Sequence, residues 1–355
     1  MVNSADLIAG KPRMAYLDAL RGFSMILVMF GHVIFHSFGL HGNASFMNMM
    51  ISYFRMPVFF FISGFVAYKA LDRWNLEFLK SITLRKFQAQ IVGTLFFAGL
   101  LYLVIPHSHA IKAWEFNVGA YWFTTTLFRI FFIYVILTLL LRRLGEIAII
   151  CLMVAISVGG TYLYIEQPWK GLWIDILNYR TLYYFQFFTL GVIIRKYGVE
   201  CVSKFLTGNW FGFWLLLFCG LSLVIYRWLP QINNFSKEAG FWLVNEIVRY
   251  AGLFMAFGFF YMLREKFEGT GKLMKGMKYI GRRTLDLYFL HYFFLPDLTK
   301  WGGWMKTGNE VVPQLLIGGM VTAGVLACCL GCSWVLRKSS FLRQWLFGVK
   351  SITHN

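Results

Sequence analysis

Apolar residues run along this chain in stretches of about 20, and the short segments between them carry most of the charged side chains. A helix of about 20 apolar residues, rising 1.5 Å per residue, crosses the roughly 30 Å hydrocarbon core of a bilayer. The pattern therefore predicts an all-α fold: a polytopic integral membrane bundle of about ten transmembrane helices. The predicted helices lie near 14–38, 51–70, 85–105, 120–141, 146–165, 180–195, 210–229, 241–263, 281–299 and 311–336.

Composition agrees with a membrane protein and disagrees with a soluble one. The 355 residues are 58% hydrophobic and 14% charged, against roughly 25% charged residues in a typical soluble domain. No polar run is long enough for a separate soluble domain, so we expect residues 1–355 to form a single membrane domain. The lipid bilayer is therefore the first predicted partner.

Positive charge dominates, and its distribution predicts the orientation. The chain has 34 Lys and Arg against 16 Asp and Glu, a net charge of +18. With the N-terminus inside, 23 of the basic residues fall in cytoplasmic segments and seven in external ones, so the positive-inside rule predicts that both termini are cytoplasmic. The basic residues form no stripe with interleaved aromatics, which argues against nucleic acid as a partner. Four arginines remain inside the spans: Arg21, Arg55, Arg129 and Arg249.

The first predicted helix, "YLDALRGFSMILVMFGHVIFH", carries ionisable residues that lipid would disfavour. Arg21 and His32 are eleven residues apart, which at about 100° per residue puts them on one face and at 1.5 Å per residue about 16 Å apart along the axis. Asp18 and His36 lie near the same stripe. A charge at the bilayer centre usually faces a cavity or a partner. The stripe is therefore either a functional site or a buried Asp18–Arg21 pair with a structural histidine.

Three stretches resemble the acyltransferase-3 family of membrane acyltransferases, and most closely its fucose 4-O-acetylase-like branch. The opening helix has the family's arginine, ten residues and histidine; "FRMPVFFFISGFV" (54–66) is similar to its second helix, and "IGRRTLDLYFLHYFF" (280–294) to its late helix. The resemblance implies transfer of an acyl group, usually acetyl from cytoplasmic acetyl-CoA, to a hydroxyl of an extracytoplasmic or lipid-linked glycan. It also implies a location in the bacterial inner membrane. His32 matches the family's essential histidine, and Arg21 belongs to the same catalytic site, with Asp18 beside it.

The acyl donor must bind differently here from the family pattern. The family often has R-x-x-R on the cytoplasmic side of its third helix, whereas this chain has Arg85 and Lys86, with Gln88 where the second arginine would stand. We therefore expect the phosphates of acetyl-CoA to contact Arg85 and Lys86 together with Arg282 and Arg283.

Elementary chemistry supports the same hypothesis independently of the resemblance. A neutral imidazole is suited to taking a proton from an attacking hydroxyl near pH 7. The carrier arm of CoA is on the order of the 16 Å that separates Arg21 from His32. A donor entering from the basic cytoplasmic face could keep its phosphates on Arg and Lys while its thioester approaches His32. The sequence leaves open whether Arg21 binds the donor or holds Asp18 and the site geometry.

Residues in other predicted helices are candidates for binding the glycan acceptor, and each has a structural alternative. Glu246 and Arg249 are three residues apart, a spacing that also fits a self-neutralising pair. Aromatic side chains are often core or lipid-facing in a chain that is 19% aromatic. Arg55 stands where the branch often has histidine. The acceptor candidates are Arg55, Trp122, Asn245, Glu246 and His291.

Other functions remain open. Arg21, Glu246 and His291 could instead form a proton or substrate path in a transporter or exporter of a glycan precursor. A non-catalytic membrane partner fits poorly with so many ionisable groups inside the spans. Cys329 and Cys332 form a CxxC within a predicted helix and have no second ligand pair, so no metal site is predicted. Oligomeric state, acceptor identity and acyl length are not specified by the pattern.

Overall fold

In the computed structural model, all regular structure in the described residues is helical. The described residues are 14–40, 45–69, 74, 76–104, 120–166, 178–227, 239–269, 271–306 and 311–348. The first eight helices are α1 (Ala15–His32), α2 (Phe46–Ala67), α3 (Leu76–Phe87), α4 (Gly93–Val104), α5 (Trp122–Leu141), α6 (Glu146–Glu166), α7 (Tyr179–Tyr197) and α8 (Glu200–Leu206). The others are α9 (Asn209–Arg227), α10 (Ala239–Met262), α11 (Arg264–Glu268), α12 (Lys272–Arg282), α13 (Thr284–Leu290), α14 (Thr299–Gly302), α15 (Val311–Leu336) and α16 (Ser340–Phe347).

Eight helical segments in the described residues are long and apolar enough to cross a membrane, which confirms a polytopic helical bundle. They correspond to all the predicted spans except the sixth and the ninth. The sixth is α7, a 19-residue helix that carries several polar side chains and packs against α2 and α6. The eight segments are Ala15–Ser37, Phe46–Ala67, Glu77–Val104, Trp122–Leu144, Glu146–Leu163, Asn209–Arg227, Gly240–Met262 and Val311–Leu336.

The ninth predicted span, 281–299, is divided rather than continuous. Arg283, with φ −111° and ψ 15°, separates α12 from α13. A 3-10 turn, His291–Phe294, follows α13, and Leu295 is then extended (φ −71°, ψ 115°). Pro296 explains this end, because the residue before a proline is disfavoured in the α conformation.

Two other helices begin earlier than the hydrophobic pattern predicted. α2 begins at Phe46 rather than near 51, because the Ser45 hydroxyl caps it by accepting a hydrogen bond from the Asn48 backbone N–H at 3.1 Å. α3 begins at Leu76 rather than near 85. Its first turns carry Glu77 and Lys80, so hydropathy places the start of the span too late.

The outer surface of the bundle is apolar. Leu103 and Leu216 are 77% and 74% exposed, and such large exposed apolar side chains on many helices are typical of a surface that faces lipid. The helices differ in how much of their surface other helices cover. In the most apolar stretch of Ala15–Ser37, 72% of the residues are buried inside the bundle, against 17% for Asn209–Arg227. α1 is therefore a central helix, and its polar stripe faces protein.

Glycines allow the central helices to approach closely. A Cβ at Gly22 or at Gly281 would overlap backbone atoms across the contact between α1 and α12. The same holds between α2 and α7, where a Cβ at Gly64 or Gly191 would overlap a backbone carbonyl oxygen of the other helix. Small residues let helix backbones meet closely in membranes.

Candidate active site

His32 is the last residue of α1, and a π-helical turn, Val33–Ser37, continues the helix. Such turns are frequent at functional sites. The imidazole of His36 stacks on that of His32 with ring centroids 5.4 Å apart. On another side, the Tyr292 hydroxyl lies 3.5 Å from Nδ1 and 3.4 Å from Nε2 of His32, and the His291 ring is 5.1 Å away. The fold thus joins His32 and His291, both predicted site residues, in one cluster.

Tyrosine hydroxyls tie α13 and its 3-10 turn to the start of α5. Tyr288 and Tyr292 both donate to the carbonyl oxygen of Ala120, at 3.1 Å and 3.3 Å. In the opposite direction, the hydroxyl of Tyr121, just before α5, donates to the carbonyl oxygen of Phe289 on α13 at 2.8 Å. These bonds fix the position of the turn that carries the residues around His32.

His291 is fully buried and keeps one ring nitrogen available. Its Nδ1 lies 3.1 Å from the carbonyl oxygen of Leu287. Because a carbonyl only accepts, Nδ1 carries the proton and Nε2 of the neutral ring is an acceptor. In the described part of the chain, this Nε2 is buried without a hydrogen-bond partner. The acceptor-binding role expected for His291 stays a prediction.

A cavity of about 480 Å³ lies beside this cluster, lined by α1, α2, α3, α5 and α13. Its basic side chains are Arg21, Arg85 and Lys86. Along α1 the lining passes from Arg21 through Met25 to Val28, so it becomes apolar toward the middle of the helix. His32 lies four residues, about 6 Å, beyond Val28. The cavity therefore runs from a basic region to within one helical turn of the histidine.

The basic side chains of this cavity are suited to an anion. Arg21 and Lys86 are close enough to interact electrostatically, and two like charges favour a bound negative group between them. Gln90 was not predicted: it lies in a π-helical turn, Gln88–Val92, lines the cavity, and has a buried Oε1 without a hydrogen-bond partner in the described residues. A glutamine inside an apolar span was the only signal of it in the sequence. Gln88 lines a neighbouring pocket with Arg85.

Of the twelve predicted site residues, Arg21, Arg85 and Lys86 are among the described residues that line the cavity. The other nine are not, and Asp18, Arg282 and Arg283 have other contacts. The Asp18 carboxylate accepts a hydrogen bond from Nε of Arg282 at 3.1 Å. The Arg283 guanidinium stacks on the Tyr279 ring, 3.8 Å from its centroid. Arg85 and Lys86 are thus the predicted donor-binding residues that face the cavity, whereas Asp18 and Arg282 join α1 to α12.

Arg55 lies against α1 just before His32. A Cβ at Gly31 would overlap Nη1 of Arg55, and this Nη1 donates a long hydrogen bond of 3.5 Å to the Leu27 carbonyl. The guanidinium is close enough to His32 and to Tyr292 to interact electrostatically with both. Arg55 is therefore part of the histidine cluster.

Trp122 belongs to an aromatic group near Arg55. Its ring stacks on Tyr184 with centroids 5.6 Å apart, and the Arg180 guanidinium lies 4.9 Å from its centre. Tyr184 also interacts electrostatically with Arg55. The acceptor-binding role expected for Trp122 stays a prediction.

Glu246 and Asn245 are the two acceptor candidates on α10. Glu246 pairs with Arg249 at 3.0 Å, so the pair expected from their spacing is present. Tyr183 and Gln186 also donate to the Glu246 carboxylate, while Asn245 donates to the carbonyl of Phe241, on its own helix, at 2.7 Å. Neither Glu246 nor Asn245 hydrogen-bonds to His32 within the described residues, and their role in acceptor binding stays a prediction.

These features define a multi-pass helical membrane protein with a polar site inside the bundle, reached through a basic cavity. A family model described as an acyltransferase domain matches residues 14–336. The chain belongs to this family, acyltransferase-3, and is a membrane acyltransferase. No curated protein and no solved structure matched the chain.

Proposed function

We propose that this acyltransferase moves an acetyl group from cytoplasmic acetyl-CoA to a hydroxyl of an extracytoplasmic or lipid-linked glycan in the inner membrane, with His32 as the general base. The observation that carries the proposal is the cavity. It is basic at Arg21, Arg85 and Lys86, apolar further in, and ends one helical turn from His32. The similarity of the three sequence stretches to the fucose 4-O-acetylase-like branch supports a sugar hydroxyl as acceptor.

The lining of the cavity matches the chemistry of the donor along its length. CoA carries phosphates at one end and a thioester at the other, joined by a long flexible arm. Arg85 and Lys86 can hold phosphate oxygens by charge-assisted hydrogen bonds. The apolar walls at Met25 and Val28 suit the arm, and about 16 Å of helix separates Arg21 from His32. Gln90 offers an amide for the polar groups of the arm.

In this proposal, His32 receives the proton that the reaction releases. A ring nitrogen of His32 takes the proton of the acceptor hydroxyl as the oxygen attacks the thioester carbon. The carbon–sulfur bond then breaks, the proton passes to the departing thiolate, and the products are an acetyl ester and CoA. His36, exposed beside His32, marks the side from which an external acceptor enters.

Acetyl transfer in membrane vesicles tests the proposal. Vesicles containing wild type, His32→Ala or Gly99→Ala are given carbon-13-labelled acetyl-CoA, and their glycans and glycolipids are analysed by mass spectrometry. A Cβ at Gly99 has no atom within 4 Å, so Gly99→Ala is a matched control. We expect labelled acetyl with wild type and the control, and none with His32→Ala at equal membrane levels.

Two results would contradict this proposal in different ways. Labelled acetyl with His32→Ala would show that His32 is not the base, although the enzyme remains. Transport of unmodified glycan precursor by wild-type vesicles, without any labelled product, would instead establish the exporter.

A further inference from the structure

We propose that Arg55 is a catalytic residue that stabilises the negative charge developing on the carbonyl oxygen of the acyl donor. The inference rests on the proposed function. It adds a group that stabilises the negative charge on the carbonyl oxygen, because the proposed base removes only the proton of the attacking hydroxyl. It replaces the acceptor-binding role expected for Arg55 from its sequence position.

The first observation is that Arg55 has no acidic partner among the described residues. It lies within α2 and is half-buried. Of its five N–H donors, one makes a hydrogen bond within the described residues, the 3.5 Å bond to Leu27. Two other half-buried arginines, Arg249 and Arg337, each pair with a carboxylate at 3.0 Å or less. Arg129 on α5 likewise has no carboxylate partner among the described residues, so the missing partner indicates a functional site at Arg55 only together with its position beside His32.

The second observation is the contact with Gly31. The Arg55 guanidinium occupies the space where any larger residue at position 31 would place its Cβ. The absence of a side chain at Gly31 therefore lets the charge lie against α1 one residue before the proposed base. Both Nη1 and Cζ of Arg55 border this space, so the glycine acts as a positioning residue for the guanidinium.

A purely structural role fits the contacts poorly. The side-chain oxygen of Asn48 also borders the Gly31 space, 2.9 Å from the position of a Cβ. It is the acceptor that a structural arginine would use, yet Asn48 Oδ1 is buried without a hydrogen-bond partner in the described residues. The unused donors of Arg55 are instead free to meet a group that is present only during the reaction.

The reaction step needs such a donor. When the acceptor oxygen bonds to the thioester carbon, the electron pair of the carbon–oxygen double bond moves onto the carbonyl oxygen, and His32 holds the proton from the hydroxyl. N–H groups of Arg55 stabilise this oxyanion until the double bond re-forms and the thiolate leaves with the proton. Preorganised donors aimed at a developing oxyanion act mainly on kcat, since they bind the transition state more tightly than the ground state.

The test is steady-state kinetics of the purified full chain in lipid nanodiscs. Acetyl-CoA is the donor, a glycolipid extract of envelope membranes is the acceptor, and release of the CoA thiol is followed. We expect Arg55→Ala to lower kcat about 100- to 1,000-fold with KM for acetyl-CoA within about threefold of wild type. Arg55→Lys should retain an intermediate rate because it keeps the charge without the planar fork.

Gly31→Ala provides a second variant that keeps Arg55. The three atoms nearest to the added methyl all belong to side-chain ends, those of Arg55 and Asn48, so we expect the guanidinium to be displaced while the helices still pack. We expect kcat to fall in this variant also, and the additional effect of Arg55→Ala on the Gly31→Ala background to be small. Arg129→Ala, which removes an intramembrane arginine on α5, is the control. Binding of CoA itself, followed by thermal shift, reports whether each variant is folded.

The outcomes separate the two proposals. If wild type and His32→Ala release thiol equally, the base role of His32 in the proposed function fails, although acyl transfer remains. If release depends on His32 but Arg55→Ala keeps kcat within about threefold, only the role of Arg55 is overturned. A rise in KM or a loss of CoA binding with unchanged kcat in Arg55→Ala would also overturn it, since Arg55 would then bind the donor.

Discussion

The Tyr292 hydroxyl lies within 3.5 Å of both ring nitrogens of His32 while it also lies 3.3 Å from the carbonyl oxygen of Ala120. A carbonyl can only accept, so the single hydroxyl proton of Tyr292 is directed at Ala120. The tyrosine oxygen is then left to accept an N–H from His32. If His32 is the proposed base, an N–H bond to Tyr292 would hold one imidazole nitrogen as the donor and leave the other to take the proton, a role like that of the third member of a catalytic triad.

Replacing Tyr292 by phenylalanine should therefore slow acyl transfer without weakening donor binding. We expect kcat to fall about tenfold, because the base loses its orientation but keeps its basicity. Initial rates at saturating acetyl-CoA measure the effect. Tyr279→Phe is the control, since Tyr279 contacts Arg283 through its ring face. Equal rates for wild type and Tyr292→Phe would show that Tyr292 does not orient His32.

The basic cavity predicts the opposite kinetic pattern. Arg85→Ala and Lys86→Ala remove positive charge from the proposed phosphate contacts, so each should raise KM for acetyl-CoA about tenfold, with kcat little changed. Added salt should reduce the difference from wild type. The control is Arg143→Ala, which removes an exposed basic residue that is not among those lining the cavity. If Arg143→Ala raises KM equally, the effect comes from net charge rather than from this cavity.

Local pattern predicted α1 and its stripe well. α1 is regular from Ala15 to His32, so the shared face of Arg21 and His32 follows from the 3.6-residue period alone. Local pattern could not predict which residues of other helices contact this stripe. Asp18 pairs with Arg282 rather than standing only beside Arg21, and Tyr292 and Arg55 reach His32 from other helices. In a chain this apolar, hydrophobic period does not indicate which helices meet.

The divided ninth span shows a second limit. Hydropathy averages over a window, so the apolar run at 281–299 predicted one helix. Backbone restrictions decide otherwise: Pro296 disfavours helix at Leu295, and the chain leaves helical geometry at Arg283. The proline was visible in the sequence, whereas the position of the resulting 3-10 turn against α1 depends on packing.

The contact between α2 and α7 predicts which glycines are required for stability. A Cβ at Gly64 or at Gly191 would overlap backbone of the facing helix, which cannot move aside as a side chain can. We expect Gly64→Ala and Gly191→Ala to destabilise the protein by about 1–3 kcal/mol or more, as overpacking does. Gly99→Ala, in an open position on α4, should be neutral or slightly stabilising because alanine favours helix. Thermal unfolding in detergent measures the three variants, and equal midpoints would contradict the close packing.

Arg337 anchors the end of α15 to α13 through a buried carboxylate. Its Nε and Nη2 donate to the two oxygens of Asp286 at 2.6 Å and 2.9 Å, and Ser333 also donates to Asp286. This contact raises the pKa of the Arg337 guanidinium, since the hydrogen-bonded Asp286 favours the charged form. Asp286 falls within the ninth predicted span, and local pattern does not indicate its partner on α15.

Removing one partner of this pair should cost more than removing both. Arg337→Ala leaves the fully buried Asp286 without a counter-charge, so we expect a loss of about 3–5 kcal/mol of stability, whereas a double variant with Asp286→Asn should recover part of it. Acyl transfer should fall together with stability in the single variant, because α13 carries Tyr288 and leads into the turn with Tyr292. Lys338→Ala is the control, since this exposed neighbour lies over the Trp334 ring at 3.7 Å and contacts no carboxylate in the described residues. Thermal unfolding and initial rates are measured for each variant, and a double variant less stable than Arg337→Ala would show that charge burial is not the cause.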